Sequence, residues 1–482
     1  MFVLRYQRVI SLLTFLWLLA PASVMAGSQH YTVSVDPDLE YIDVSACFEG
    51  TVPRRLTAGR EDAVKLLRDV RFQTPGDTVE IKPRYSNLKL PRTATPACVH
   101  YRVDLRAVGK KHWRSQNWRT KDAVILDPAS WLWLPADRPA DQSWRLDFEL
   151  PPGHDVSAPW KRVGRTGQTV SFEARERMPG YDARVAIGRF SVESIDLPGG
   201  RVRYALLPGK PAPDAEFLRR WATGGLRSLV TAYGRLPVPD LQLLVVPIGQ
   251  GDEAVPWGEV QRGGGDAVHL YIDQRVDEED FMDDWVLVHE LGHLLHPVID
   301  SGDRWLSEGI ASYYQNVLRA RGGLKSPEEA WNRLHAGFER GIRGTPRGRS
   351  LAEVSETMMR DRSFMRVYWS GAAIALLADV ELRRRSGGAQ SLDSALEAFG
   401  DCCLAADHNW SGRAFMRELD RITGTTVFME LYDQHVDSDE FPALASVYAD
   451  LGLQRMSSTR LDIDPTAPEA AICAAIMAAP AD

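Results

Sequence analysis

The sequence predicts a multidomain α+β protein, and three observations carry that prediction. The chain has 482 residues, 44% apolar and 25% charged, an ordinary globular composition with length for two or three domains of roughly 100 to 200 residues each. From about His30 to Pro198 apolar and polar residues alternate in short segments, among them Tyr31-Thr32-Val33-Ser34-Val35 and Ser143-Trp144-Arg145-Leu146-Asp147-Phe148, with Pro and Gly between them. Beyond Pro211–Pro213 helical periods take over.

Each segment follows from its own pattern. Arg5 and Arg8 precede an apolar run from Val9 to Ala20, closed by Pro21 and the small-residue pattern ending at Ala26; residues 1–26 read as a cleaved signal peptide, too short to span a bilayer. Residues 27–200 read as a β-sandwich, interrupted by a helical pattern at Ala58–Arg71. Residues 201–400 carry helical periods at Asp214–Tyr233, Asp277–His296, Arg304–Arg321 and Val367–Arg385, with strands at Leu241–Val246 and Val268–Ile272, a small sheet beside helices. Residues 401–463 read as helical, with Gly412–Ile422 the clearest segment. The Ala/Pro-rich stretch 464–482 reads as a disordered tail.

Charge and cysteine content narrow the class. The 57 Lys and Arg against 65 Asp and Glu leave a net charge of −8, which offers no basic field to a polyanion, so nucleic acid is not an expected partner. After signal cleavage no apolar run is long enough for stable membrane insertion, and the expected location is periplasmic or secreted. In an exported chain the five cysteines invite pairing. Cys47 and Cys98 fall in the strand-rich region and are expected to bridge; Cys402 and Cys403 are adjacent, so one of them can pair with Cys473.

The chemistry concentrates in one segment. An acidic opening from Asp277 runs into Val286-Leu287-Val288-His289-Glu290-Leu291-Gly292-His293, with Asp277 placed to cap a helix that Pro297 stops. His289 and His293 stand one turn apart on one face of that helix, a spacing that lets two imidazoles share a tetrahedral Zn2+. Glu290 lies beside them, placed to take a proton from water as general base. Apolar neighbours argue for burial, and two buried histidines with a glutamate need a partner such as a metal. A catalytic zinc wants a third protein ligand. The following segment Trp305-Leu306-Ser307-Glu308-Gly309 supplies Glu308, with Gly309 expected to let this helix approach the first; His296 is a competing ligand, though a place behind the ligands or at the surface suits it better. One Zn2+ per chain follows.

His289-Glu290-Leu291-Gly292-His293, an HExxH pattern, followed by Trp305-Leu306-Ser307-Glu308-Gly309 resembles the gluzincin metallopeptidases. Val367-Tyr368-Trp369-Ser370-Gly371, with Ser391-Leu392-Asp393 further on, is similar to the Tyr-x-Lys-Gly helix of the glycyl aminopeptidase family and of the alanyl-type aminopeptidases. The resemblance implies a β-rich N-terminal domain, a thermolysin-like zinc peptidase domain over 201–400 and a helical C-terminal part. It implies that Tyr368 donates its hydroxyl to the tetrahedral oxyanion, where charge appears only in the transition state.

The sequence also departs from that pattern. Ser370 replaces the lysine, the spacing from His293 to Glu308 is short, and the family's PDZ module finds no room after Leu453. The segment that grips the substrate ammonium in those aminopeptidases has no direct counterpart. In its place stand Trp257-Gly258-Glu259-Val260-Gln261-Arg262-Gly263-Gly264-Gly265 and the strand Val268–Ile272. Glu259 can hold an ammonium, and Gly263, Gly264 and Gly265 with that strand suit an extended peptide bound as an added strand. The expected function is an exported zinc peptidase acting on peptides or proteins, foremost an aminopeptidase. An endopeptidase using the same zinc is the alternative, and a zinc-stabilised binding protein is the alternative of another class.

Overall fold

The computed structural model describes residues 29–479 apart from 94–95, 110–114, 116, 139–141, 176–183, 263 and 405–407; the signal segment and Gly263 lie outside the described residues. The N-terminal part is built from a mixed eight-stranded sheet ordered Lys161–Thr166, Thr169–Arg175, Ser143–Glu149, Gln29–Val35, Tyr41–Phe48, Ala97–Asp104, Leu67–Thr74, Asp77–Glu80. A three-stranded and a four-stranded sheet complete it. Tyr31, Val33, Val44, Val99, Leu146 and Phe172 alternate inward from neighbouring strands into one core, as half-buried strands require. Cys47 and Cys98 sit opposite each other on paired strands and are joined. The expected helix at Ala58–Arg71 is instead a 3-10 turn, Glu61–Lys65, followed by the strand Leu67–Thr74; Leu67 and Phe72 are buried there by pairing with Ala97–Asp104, and tertiary pairing overrides the local period.

A five-stranded sheet follows, ordered Val192–Leu197, Gly200–Leu206, Asp240–Pro247, Asp266–Ile272, Trp257–Gln261. It begins before residue 201, so the expected domain boundary shifts upstream to about Val192. Along Asp266–Ile272, Val268, Leu270 and Ile272 face the helices, whereas Tyr271 faces the sandwich with Ala205, Leu244 and Val246 against Ala123, Ile125 and Ala186. Both faces are covered, which is why these strands read as continuous apolar runs. Gly265 seals the seam: a Cβ there would lie 2.0 Å from the Pro159 carbonyl oxygen.

Among the described residues there are twelve α-helices, of which α1 and α3 pack on the other face of the sheet: α1 (Ala215–Val230), α2 (Glu278–Asp283), α3 (Val286–Gly292), α4 (Arg304–Arg321), α5 (Pro327–Arg343), α6 (Leu351–Asp361), α7 (Phe364–Ser386), α8 (Leu392–Cys403), α9 (Gly412–Thr423), α10 (Val427–His435), α11 (Ala445–Leu451) and α12 (Ala470–Met477). The helix expected over Asp277–His296 is broken at Asp284, whose ψ of 143° is extended, and its last turn, His293–Leu295, is 3-10. Asp277 makes no side-chain cap bond to α2; Asp284 takes that part for α3, accepting from the Val286 amide at 2.8 Å. Phe399, Phe415, Phe428 and Leu451 share one core with α4 and α7, so the helical C-terminal region is continuous with the catalytic part.

The tail departs from expectation as well. In α12, Cys473, Ile476 and Met477 are buried, the Ile476 carbonyl accepts from Arg321 Nε at 2.9 Å, and Glu469 pairs with Arg384. Its alanines suit a helix that gains stability from packing. Cys473 is a buried free thiol, while Cys402 and Cys403 are joined to each other, which overturns the pairing with Cys473. No helix among the described residues is long and apolar enough to cross a membrane.

Candidate active site

All seven residues of α3 are buried, held between α1, α4 and the edge strand Trp257–Gln261. Each contact is made close by a glycine. A Cβ on Gly225 of α1 would meet Leu287 at 2.5 Å, one on Gly292 would meet the Ala311 backbone of α4 at 3.4 Å, and one on Gly258 would meet Glu290 Cγ at 2.5 Å. Gly309, expected to bring α4 onto the histidine helix, lies instead against α7: a Cβ there would meet Gly371 at 2.4 Å, and one on Gly371 would lie 1.7 Å from the Trp305 carbonyl oxygen. This backbone crossing sets Tyr368, one turn ahead of Gly371, beside Glu308.

The ligand atoms of His289, His293 and Glu308 lie within 4.8 Å of one another. Glu308 Oε2 is 3.3 Å from His289 Nε2 and 3.5 Å from His293 Nε2. The tautomers that present those nitrogens are fixed from behind. His289 Nδ1 is 2.9 Å from Gln315 Oε1 and His296 Nδ1 is 2.7 Å from the Pro297 carbonyl. Both partners are acceptors, so both Nδ1 atoms carry protons. His296 Nε2 is then an acceptor, and His293 Nδ1, 3.1 Å away, donates to it. His289 and His293 are left with Nε2 atoms facing a carboxylate, which, once those nitrogens are free of protons, is the donor set and orientation that zinc requires. The three residues fit the ion. His296 is thereby an orienting group rather than a ligand.

Electrostatics agree with this arrangement. Burial works to raise the Glu308 carboxyl, yet the charge on His293 and the hydrogen bonds from both histidines hold it well below the usual carboxylate range. Burial raises Glu290, against the pull of His293 and His289. Burial drives His296 far down, keeping it neutral. The Tyr368 phenol is pushed up by burial and then by Glu308, so it remains protonated and able to donate. Its ring stacks on His289, centroids 5.8 Å apart and 3° from parallel.

These groups line a cleft of about 640 Å³ that also takes in Trp257, Glu259, Trp285 and Ser307. Glu259 is thus in the same cleft as Glu290, but strand alternation puts it on the opposite face from Gly258. There it accepts from Gln261 at 3.0 Å and Tyr271 at 3.3 Å, and His269 stands 3.6 Å away. Burial would raise its carboxyl, but His269, Arg184 and Trp257 together outweigh that and lower it. Gly264 and Gly265 do not line this cleft: they border a second one. The expected peptide platform moves too, because Asp266–Ile272 is paired on both sides and Trp257–Gln261 is the sheet edge.

No family model matches the sequence, and no curated protein matches it. Solved structures do. The aminopeptidase N family protein from Idiomarina loihiensis superposes with a TM-score of 0.66 at 17% identity, covering 88% of this chain and 78% of that one. This chain has the fold of the M1 zinc metallopeptidases. The M1 zinc metallopeptidase from Deinococcus radiodurans gives a TM-score of 0.51 at 16% identity over 87% of this chain and 95% of its own. A variant of that enzyme, with the substrate Tyr-Ser-Ala bound, gives 0.51 at 15%. Both show β-rich and helical parts in the order found here.

Gln315 and Ser307 were missed by the sequence reading. Gln315 had a signal: it stands two turns after Glu308 on the same face of α4. Ser307 Oγ lies 3.3 Å from His293 Nδ1 and had none.

Proposed function

We propose that the chain is an exported zinc-dependent peptidase that binds one Zn2+ through His289, His293 and Glu308 and removes residues from the N-terminus of peptides. What supports this is the convergence of those three ligand atoms with the buried Glu290 and the Tyr368 ring in one cleft. A zinc ion bound there polarises the scissile carbonyl and acidifies water. Glu290 takes the proton from the attacking water and delivers it to the leaving amine. Tyr368 donates its phenolic hydrogen to the oxygen that becomes negative as the carbonyl turns tetrahedral. The free edge of Trp257–Gln261 offers backbone groups to an extended substrate, and Glu259 receives the ammonium by exchanging a donor from Gln261 or Tyr271. The leader sequence and the Cys47–Cys98 bridge support a periplasmic or secreted location.

The test is hydrolysis of aminoacyl arylamides and matched N-acetylated peptides by residues 27–482, with Glu290→Gln as the blank. Hydrolysis of the free amines alone, reduced by about a thousandfold or more in Glu290→Gln with zinc content unchanged, is the expected result. Cleavage of the acetylated set would make the protein an endopeptidase. Loss of nothing in Glu290→Gln would overturn the catalytic reading.

A further inference from the structure

Beside the zinc cleft lies a larger one of about 1050 Å³, between the sandwich and the five-stranded sheet. The two share Arg262, Pro297 and Val298 as lining, so a chain held at the zinc continues into the second space. Its sandwich wall is the edge strand Lys161–Thr166, where a bulge between Arg162 and Gly164 interrupts the pairing. Bulges re-aim side chains, and here cations gather: Lys161, Arg162, Arg165, Arg201 and Arg203 all line the cleft.

Most of them are already paired. Arg203 donates to Asp240 at 2.7 Å and to the Ala158 and Pro159 carbonyls, Arg201 pairs with Asp196 at 2.7 Å, and Arg165 with Asp155. Of the four acids of the wall, Glu193 is engaged by Arg219 and Asp240 by Arg203, and Glu173 and Asp266 are not free either. Lys161 and Arg162 are the exceptions, and Lys161 is exposed to solvent whereas Arg162 is half-buried, its side chain making no hydrogen bond or ion pair to any described residue. Burial depresses its guanidinium most, Asp155 acts against that, and Arg165, Arg203 and Arg201 add to the depression. The nearby Asp155 is bonded to Arg165, and a half-buried guanidinium beside three others with no anion of its own is a local conflict of the kind proteins keep where a ligand resolves it.

We propose that this second cleft is a subsite for carboxylate groups of the peptide substrate downstream of the scissile bond, with Arg162 as the group that selects them. The proposal rests on the peptidase reading above. A guanidinium forks onto a carboxylate through two parallel bonds, and the surrounding positive charge draws acidic peptides in. An acidic side chain and the C-terminal carboxylate present the same chemistry.

The experiment uses the full mature chain and five-residue peptides with Glu or Gln after the first position, each as free acid and as C-terminal amide. The parent is expected to favour the Glu peptides by about tenfold in kcat/KM, carried in KM and reduced by salt. Arg162→Gln brings that ratio to about one, and Arg162→Glu inverts it, while aminoacyl arylamides too short to reach the cleft are hydrolysed at the parental rate. Preference surviving amidation assigns the side-chain carboxylate; preference abolished by it assigns the terminus. Equal rates for Glu and Gln peptides, free acid and amide alike, or a ratio that Arg162→Gln leaves intact, would overturn the proposal. Binding of the same peptides to Glu290→Gln is measured in parallel. No hydrolysis by the parent together with Arg162-dependent binding refutes the peptidase reading alone, and binding indifferent to charge refutes the subsite.

Discussion

At the scale of single residues, the site divides into groups that touch the reaction and groups that aim them. His289, Glu290, His293 and Glu308 were legible because metal and water chemistry dictate both residue type and helical spacing. Tyr368 was legible only through a family resemblance, since one tyrosine in a helix carries no pattern of its own. The aiming groups were hidden because their roles depend on which chain segments meet. His296 reads in sequence as a competing ligand or, more readily, as a group behind the ligands or at the surface, and its bond to the Pro297 carbonyl leaves its other nitrogen to serve His293. His296→Ala is therefore expected to weaken zinc affinity by about 10- to 100-fold, with Gln315→Ala acting similarly through His289. Competition with a chromogenic chelator at pH 7 measures it, and unchanged affinity in both variants would refute the orienting role.

At the scale of elements, regular periods were readable and their interruptions were not. Arg304–Arg321 has the same bounds in sequence and structure, because a long amphipathic stretch specifies itself. The break between α2 and α3 was invisible, since an Asp inside an acidic run differs in no local respect from its neighbours. Half-buried in the structure, Asp284 has its carboxyl raised to about 7, by desolvation above all and against the amide bonds from Val286 and Leu287. The unfolded value is near 3.9. Between about pH 4 and 7 the folded state thus binds more protons than the unfolded state, so this group's contribution falls as pH rises through that window and stays low above it. Asp284→Asn keeps an acceptor for the Val286 amide without the charge. It is expected to melt above the parent at pH 8 and to match it near pH 4; thermal midpoints across that range decide. A variant less stable than the parent at pH 8 would show that the charge is favourable.

For the whole molecule, the order of β-rich and helical parts could be read from the change of period near Pro211, but not where each core ends. Strand Val192–Leu197 belongs to the second sheet although it alternates like the sandwich strands before it. The tail misled for a compositional reason: alanine and proline suggest disorder when nothing in the local sequence names the surface they cover. Removing residues 464–482 strips Cys473, Ile476 and Met477 from the core, takes the Ile476 carbonyl from Arg321 and takes Glu469 from Arg384. At about 1.5 kcal/mol or more per buried apolar side chain, the truncation is expected to cost about 4 kcal/mol. The urea midpoint measures this, and a midpoint equal to that of the full chain would mean that α12 adds nothing.

The contact of Gly309 with Gly371 has a consequence for metal uptake. Glu308 and Tyr368 descend from helices whose backbones touch, and Gly292 brings α3 against α4 in a similar way, so the distances among the metal-facing groups are set by main chain. The spacing of the socket therefore rests on packing that needs no ion. Chain stripped of metal is expected to keep its fold and to take zinc back without refolding, which circular dichroism before and after chelation checks.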